Sequence, residues 1–350
     1  MPRVFTMQRA NCTRPSRNLM LKPIFVRLPN WVGDACMALP ALHMLCHAGF
    51  PLVLVGRPWA RDLLAGLRPR EFVAVEGKLR ADAERVRDVV RASDGGRGPL
   101  PVGPYKGICF PDSISSALVF RLAGIRAGGY RDDGRSLLLK WPVGKPHGEV
   151  HVVESYYHLA RSILMKWGLP ESIPAAPGPR LELPLTSGHI QAAQATLERA
   201  GLDRPFVLLS PTATGLHRGR VKSWQHYEAL SQRLLSAGWP VAICPPPNEV
   251  DTARAAVPSA QLLPALPLGA YAALTQRAGL VICNDSGTSH IAAAAHSRQL
   301  TLFGVTRPGR TAPWSPTASW LGDEGEWPDL DSVVQRATEL LREPALDHQP

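Results

Sequence analysis

Residues 284–290 read Asn-Asp-Ser-Gly-Thr-Ser-His, between the apolar run Gly279-Leu-Val-Ile-Cys283 and the small-residue stretch His290-Ile-Ala-Ala-Ala-Ala-His296. A buried strand that breaks at a polar, glycine-containing turn and restarts as a helix gathers free backbone N–H groups and a positive dipole end at one spot. That arrangement suits a phosphate. A second polar turn, Pro29-Asn-Trp-Val-Gly-Asp34, follows the first apolar run and precedes a helix-like segment from Ala35. Its glycine lets backbone approach a ligand, and Asp34 brings a carboxylate to the cleft end of a strand. Capping the helix is the competing role for that side chain. A third segment, residues 211–224, carries the hydroxyls of Thr212 and Thr214 together with His217, Arg218, Arg220 and Lys222. Lying between a strand and a helix expected over 225–237, it is either a phosphate loop or a solvated basic one.

These turns need rigid elements to hold them. At 350 residues the chain exceeds one ordinary core, so two domains are expected. Both halves alternate short β-rich runs with helical periods, the pattern of parallel sheets covered by helices in an α/β fold. Strands are expected at 24–28, 52–55, 72–75 and 107–110, with helices near 34–48, 59–66, 80–92, 115–123 and 151–167. The second half repeats the alternation at 206–209, 241–244, 280–283 and 300–303, and a final helix near 331–342 follows Asp331, which can cap it. The Pro-rich stretch 169–179 between the halves is the expected linker. The division is then a basic arm over 1–22, a first domain over 23–170, linker and first elements over 171–204, a second domain over 205–330 and a terminal helix and tail over 331–350.

The net charge of +10 is unevenly spread. Residues 1–170 carry 25 Lys and Arg against 13 Asp and Glu, whereas residues 171–350 carry 14 against 16. An excess of +12 on one half points to an anionic partner there, whether membrane surface, acidic lipid or nucleic acid. Six cysteines without C-x-x-C spacing, several inside apolar runs, read as small buried hydrophobes in a reducing compartment. No apolar stretch approaches the roughly 18 residues that span a bilayer. Residues 1–20 hold four arginines and no apolar signal core, so they are expected to be a loose arm or an over-extended start of a cytoplasmic protein.

Taken together, these residues resemble one family. Val26-Arg-Leu-Pro-Asn-Trp-Val-Gly-Asp-Ala-Cys-Met-Ala-Leu-Pro-Ala-Leu42 is similar to the N-terminal signature of the ADP-heptose:lipopolysaccharide heptosyltransferases, glycosyltransferase family 9. Its Trp-Val-Gly-Asp form is most like the heptosyltransferase II branch. Asn284–Asp-Ser-Gly-Thr-Ser-His-Ile-Ala-Ala-Ala294 with Leu302-Phe-Gly-Val-Thr-Arg-Pro-Gly-Arg-Thr-Ala-Pro-Trp314 resembles the donor signature. Segments 110–118, 122–130 and 210–227 agree, so the resemblance covers roughly 23–340 in order.

The resemblance implies a GT-B architecture, two Rossmann-like domains facing a cleft, with the acceptor on the first and the nucleotide sugar mainly on the second. It implies inverting transfer of heptose from ADP-heptose to the inner core of lipopolysaccharide, on Kdo or heptose, with no cofactor and no catalytic metal. Asp34 matches the family's base, and Lys222 the lysine that contacts the donor diphosphate, although the flanking Arg218 and Arg220 compete for that role. Asp285 matches a sugar contact. Ser286, Gly287, Thr288 and Ser289 supply diphosphate donors, with Thr212 and Thr214 of the 211–224 loop on the same donor side. His290 faces ligand or packs, and Glu249, in Pro245-Pro-Pro-Asn-Glu249, reads the ribose or is an ordinary loop carboxylate. Asp329-Leu-Asp331 has the D-x-D form of metal-dependent glycosyltransferases but reads as helix-capping carboxylates. Asp132-Asp133 reads as a turn pair. The expected partner is a lipid A-core acceptor at the inner-membrane face, met peripherally, and not a nucleic acid. The competing readings are a GT-B enzyme using another nucleotide sugar and a non-catalytic, basic nucleic-acid-binding protein.

Overall fold

The computed structural model describes residues 21–93, 104–169, 173–213, 216–217 and 219–344. Thr214, Arg218, most of the expected arm and part of the expected linker therefore lie outside the described residues. The first half runs β1 (Ile24–Arg27), α1 (Val32–Met37), α2 (Leu39–His47), β2 (Leu52–Gly56), α3 (Ala60–Leu63), β3 (Glu71–Ala74), α4 (Leu79–Ser93), β4 (Lys106–Cys109), α5 (Ile114–Leu122), β5 (Arg126–Tyr130), β6 (Trp141–Val143) and α6 (Val152–Lys166). The second half continues with α7 (Ser187–Ala200), β7 (Val207–Ser210), β8 (Leu216–His217), β9 (Arg220–Val221), α8 (Tyr227–Ser236), β10 (Val241–Ile243), α9 (Val250–Ala256), β11 (Gln261–Leu262) and α10 (Leu268–Arg277). It ends with β12 (Leu280–Asn284), α11 (Gly287–Ala294), β13 (Gln299–Leu302), α12 (Pro308–Thr311), β14 (Ala318–Leu321) and α13 (Leu330–Arg342).

Each half builds one six-stranded parallel sheet, ordered β3-β2-β1-β4-β5-β6 and β11-β10-β7-β12-β13-β14. The two orders are the same doubly wound pattern, whose direction reverses between β1 and β4 in one sheet and between β7 and β12 in the other. A ligand crevice opens beyond the carboxyl ends of strands at such a reversal. The turns singled out above follow β1, β7 and β12. Sequence pattern thus located the loops at both reversals.

Four strands were expected per half, and each sheet has six. The runs missed are short, polar or glycine-rich. In β5, Gly128 stands where an added Cβ would meet Ile163 Cδ1 of α6 at 2.6 Å, and in β4, Gly107 stands where one would meet the Phe120 ring of α5 at 2.9 Å. Glycine here serves close packing of helix on sheet, not a turn. Edge strand β6 tolerates Pro142 because an edge residue need not donate on its outer side. The single helix expected over 34–48 is two, α1 and α2, joined at Ala38 ahead of Pro40, which has no N–H to continue the ladder. Helices α7, α9 and α10 were not foreseen. Asp331 does not cap α13: Asp329 is the N-cap and accepts from the Ser332 backbone at 2.8 Å, while Asp331 pairs with Arg233 at 3.1 Å.

Three apolar clusters organise the molecule. Two lie on the outer faces, one per sheet. The third is continuous through both halves, from Leu28 and Leu42 through Leu181, Leu183 and Leu197 to Ile291 and Ala293. Residues 181–185 thread this shared layer, and Leu183 N–H donates to Ala294 O at 3.0 Å. His43 Nε2 donates to Glu182 O at 2.7 Å from one side. From the other, His296 Nε2 lies 2.8 Å from Leu181 O and 3.3 Å from Glu182 Oε2.

The His296–Glu182 pair makes stability depend on pH. Hydrogen bonding to Glu182 raises the His296 pKa above 6.5, so its contribution is present below that value and is lost as pH rises through the raised one. The same bond lowers Glu182 below 4.5, so that contribution is present above 4.5 and is lost as pH falls through the lowered value. The Tm difference between the natural protein and Glu182→Gln should therefore be widest between 4.5 and 6.5 and close on either side. Both groups are partly exposed, so the gap corresponds to about 1 kcal/mol or less. Thermal melts across pH check this, and a gap that does not vary with pH would show that the pair is not ionic.

Candidate active site

The two halves meet through helices that start at the two reversals. An added Cβ on Gly33 of α1 would lie 2.5 Å from His290 Cδ2 of α11, and one on Gly287 would lie 3.1 Å from Val32 Cβ. The absence of two side chains lets the turn after β1 abut the turn after β12. Asp34 and Asp285 are thereby brought to facing walls of one cleft.

Asp34 is the third residue of α1, whose N-cap is Trp31, so it does not occupy the cap position. In the first turn its carboxylate benefits from the helix dipole. Tyr156 of α6 donates its hydroxyl proton to Asp34 Oδ1 at 3.0 Å. Burial pushes the Asp34 carboxyl above its ordinary 3.8; the Tyr156 bond opposes that, the Asp285 carboxylate adds to it, and the residue's own backbone N–H and Lys222 oppose it more weakly. A partly desolvated carboxylate beside a cavity is a competent proton acceptor.

The cavity beside it measures about 310 Å³ and is lined by Asp34, Phe110, Asp112, Lys145, Tyr156 and Arg310 among others. Lys145 bridges Asp112 and Asp132, each at 2.7 Å, and lies over the Tyr130 ring. Fully buried Arg135 fixes the same wall, reaching Asp112 Oδ1 at 3.1 Å and Pro111 O at 2.9 Å. Asp132 is thus more than half of a turn pair: the turn, with Asp133 at φ 54°, presents it to Lys145. Helix α6 is anchored from across the cleft. His151, its N-cap, accepts from Val153 N–H through Nδ1 and donates through Nε2 to Ala312 O at 2.9 Å.

On the opposite wall Asp285, 6 % exposed, accepts from the Thr306 hydroxyl at 2.5 Å and lies 3.6 Å from Lys222 Nζ. Asn284 orders the loop that carries Lys222. Its Oδ1 accepts from Trp224 N–H at 3.0 Å, and its Nδ2 donates to Pro211 O at 3.0 Å. Thr288 and Ser210 hydroxyls lie 3.1 Å apart, joining the turns after β12 and β7. Ser286 is the N-cap of α11 without a side-chain cap bond, and its buried Oγ has no hydrogen-bond partner among the described residues. A buried polar atom left unpaired at a helix N-terminus is a ready anion contact.

His290 is 4 % exposed and packs its ring on Gly33, with Nε2 4.0 Å from Asp285 Oδ1. Burial pushes its pKa down to about 4, so the ring is neutral near pH 7 and adds no cation to the cleft. Thr212 lies just beyond β7 at the same wall. Glu249 ends a short 3-10 turn after β10, two strands away from β12. Arg220 is exposed in the β8–β9 hairpin, whereas Lys222 is the cation paired with Asp285. Tyr156, Lys145, Arg310 and Thr306 were not singled out from sequence. Thr306 and Arg310 had a nearby signal, the segment after β13; Tyr156 and Lys145 reach the site only through folding.

The family model for glycosyltransferase family 9 (heptosyltransferase) matches residues 106–338. The lipooligosaccharide heptosyltransferase 2 of Haemophilus influenzae is 26% identical over 313 residues, covering 83% of this chain and 86% of that protein. The solved structure of Escherichia coli ADP-heptose lps heptosyltransferase II aligns with a TM-score of 0.70 at 24% identity, over 91% of this chain and 98% of that one. The E. coli heptosyltransferase WaaC with ADP aligns with a TM-score of 0.69 at 20% identity, over 91% and 99%. The structural alignments identify the fold as GT-B, two Rossmann-like domains with a cleft between them. With a family model covering two thirds of its length, the chain belongs to glycosyltransferase family 9 and is a glycosyltransferase.

Proposed function

We propose that the protein transfers heptose from ADP-heptose to an inner-core sugar of lipopolysaccharide, Kdo or heptose, with inversion at the anomeric carbon. The observation that carries the reading is the pairing of opposite chemistries across one cleft: a burial-raised carboxylate at Asp34 faces a lysine held by Asp285 at the turn after β12. Curated relatives named as heptosyltransferase 2, and a relative solved with ADP, support the choice of sugar and nucleotide.

In this reading the acceptor sugar occupies the cavity beside Asp34. As its hydroxyl oxygen attacks the anomeric carbon, the hydroxyl proton passes to the Asp34 carboxylate, and the bond from that carbon to the β-phosphate oxygen breaks. ADP leaves with the electron pair. Lys222, the N–H groups at the start of α11 and the hydroxyls of Thr212, Thr214, Ser286 and Thr288 meet its growing charge. Asp285 orients Lys222 and the sugar, and Glu249 reads the ribose. The domain division falls at 23–170 for the acceptor and 205–330 for the donor, and the protein works at the cytoplasmic face of the inner membrane. A nucleic-acid-binding role would leave the acidic groups on both cleft walls without a use.

Asp34→Asn should lower kcat on the order of a hundredfold or more with donor binding nearly unchanged. Steady-state kinetics with ADP-heptose tests this, and near-normal turnover would remove Asp34 as the base. Lys222→Ala and Asp285→Ala should each weaken donor use by on the order of tenfold or more, the loss of a charge-assisted contact. Calorimetry of ADP binding reads that directly, and absence of ADP binding to the natural protein would end the donor assignment.

The excess of +12 on residues 1–170 predicts peripheral membrane contact. Among the described residues no helix is long and apolar enough to cross a membrane. The protein should co-sediment with anionic vesicles at low ionic strength, be released by roughly 0.3 M NaCl as screening shortens, and ignore neutral vesicles. Binding that does not respond to salt would contradict electrostatic docking.

A further inference from the structure

We propose that Tyr156 is the positioning residue of the catalytic carboxylate: its hydroxyl fixes the orientation of Asp34 and sets the pH above which Asp34 accepts a proton. The inference rests on the reading of Asp34 as the base. Tyr156 lies 122 residues from Asp34 in the chain and is brought to it by α6, whose start is locked to the second half through His151. The Tyr156 ring packs edge-on against Phe110 with centroids 5.3 Å apart, so its hydroxyl is aimed by packing as well as by its acceptor. One carboxylate oxygen is committed to Tyr156, which leaves the other for the acceptor hydroxyl in the adjoining cavity. A carboxylate free to rotate would spend part of its time with neither oxygen aligned.

The bond also tunes basicity. Asp34 is pushed up by burial and by Asp285, and pulled down by Tyr156 first and then, more weakly, by its own backbone N–H and by Lys222. His290, which packs on Gly33, is neutral above about pH 4 and leaves that balance unchanged in the working range. Cys36 on the same helix is buried, with its thiol pushed up to about 12, and stays uncharged. Around Tyr156 itself stand Asp112 and Tyr130, and its own phenol is held well above its ordinary range, first by burial and then by Asp34, so it remains a donor throughout. Without Tyr156 the two upward influences on Asp34 are opposed only by the weaker pulls of its own backbone N–H and of Lys222. The enzyme would then need a higher pH to hold Asp34 as a base.

Tyr156→Phe keeps the ring and its packing on Phe110 and removes only the donor. The acid limb of the kcat/KM profile should move up by about one pH unit, the scale of one hydrogen bond to a charged group. The plateau kcat should fall by about tenfold, with ADP affinity unchanged. A role confined to packing would change neither the limb nor the plateau in this variant, and an acid limb that stays in place would overturn the proposal. Should the variant be too slow to profile, carboxyl NMR of 13C-aspartate protein, with Asp34→Asn to assign the resonance, reads the Asp34 titration directly. An upward shift supports the proposal and an unmoved titration sinks it. Near-normal turnover of Asp34→Asn would instead fell the underlying base assignment, a result distinct from an inactive Asp34→Asn combined with an unmoved limb in Tyr156→Phe.

Discussion

Everything at the cleft depends on how closely two helix starts approach each other. Helices α1 and α11 each begin at the reversal of a parallel sheet, and each carries a glycine where the other presses against it: Gly33 under the His290 ring and Gly287 under Val32. Side chains at these positions would hold the walls apart, and the electrostatic coupling between Asp34, Asp285 and Lys222 falls as that distance grows. The continuous apolar layer through both halves supplies the cohesion. The two glycines decide how far it can close.

Two carboxylates, Asp285 buried and Asp34 half-buried, face this cleft under different conditions. Asp285 is satisfied by the Thr306 hydroxyl and by Lys222, and therefore serves to hold a cation in place. Asp34 has no cation paired with it; Tyr156 is its strongest donor, helped more weakly by its own backbone N–H and by Lys222. Desolvation without a paired cation leaves a carboxylate more basic, and that is the condition of Asp34. The division of labour between acceptor and donor walls follows from which carboxylate received the lysine.

The turns that carry chemistry were legible because each is a local pattern: an apolar run, a polar turn with glycine, then a helix. Asp34, Asp285, Ser286 and Thr288 lie in such patterns, and so did the strands at the centre of both sheets. Edge strands such as β6 and β14 were not legible, since Trp-Pro-Val and Ala-Ser-Trp-Leu are too short to show alternation and β6 contains a proline. Neither was β5, in which Gly128 looks like a turn signal and is a packing site for Ile163.

The sequence alone determined the α/β class, the doubling of the unit, the basic first half and the polar turns, since periodicity, composition and spacing are properties of neighbouring residues. Tertiary structure decided which of those residues share a site. Tyr156 meets Asp34, Lys145 joins Asp112 to Asp132, Thr306 meets Asp285, and His290 spends its ring on Gly33. It also decided protonation: Asp34 and His290 depart from their ordinary values chiefly because folding buries them, and for Asp34 the next influence is Tyr156, far off in the chain. Residue type fixes what a group can do, and desolvation together with distant neighbours fixes what it does.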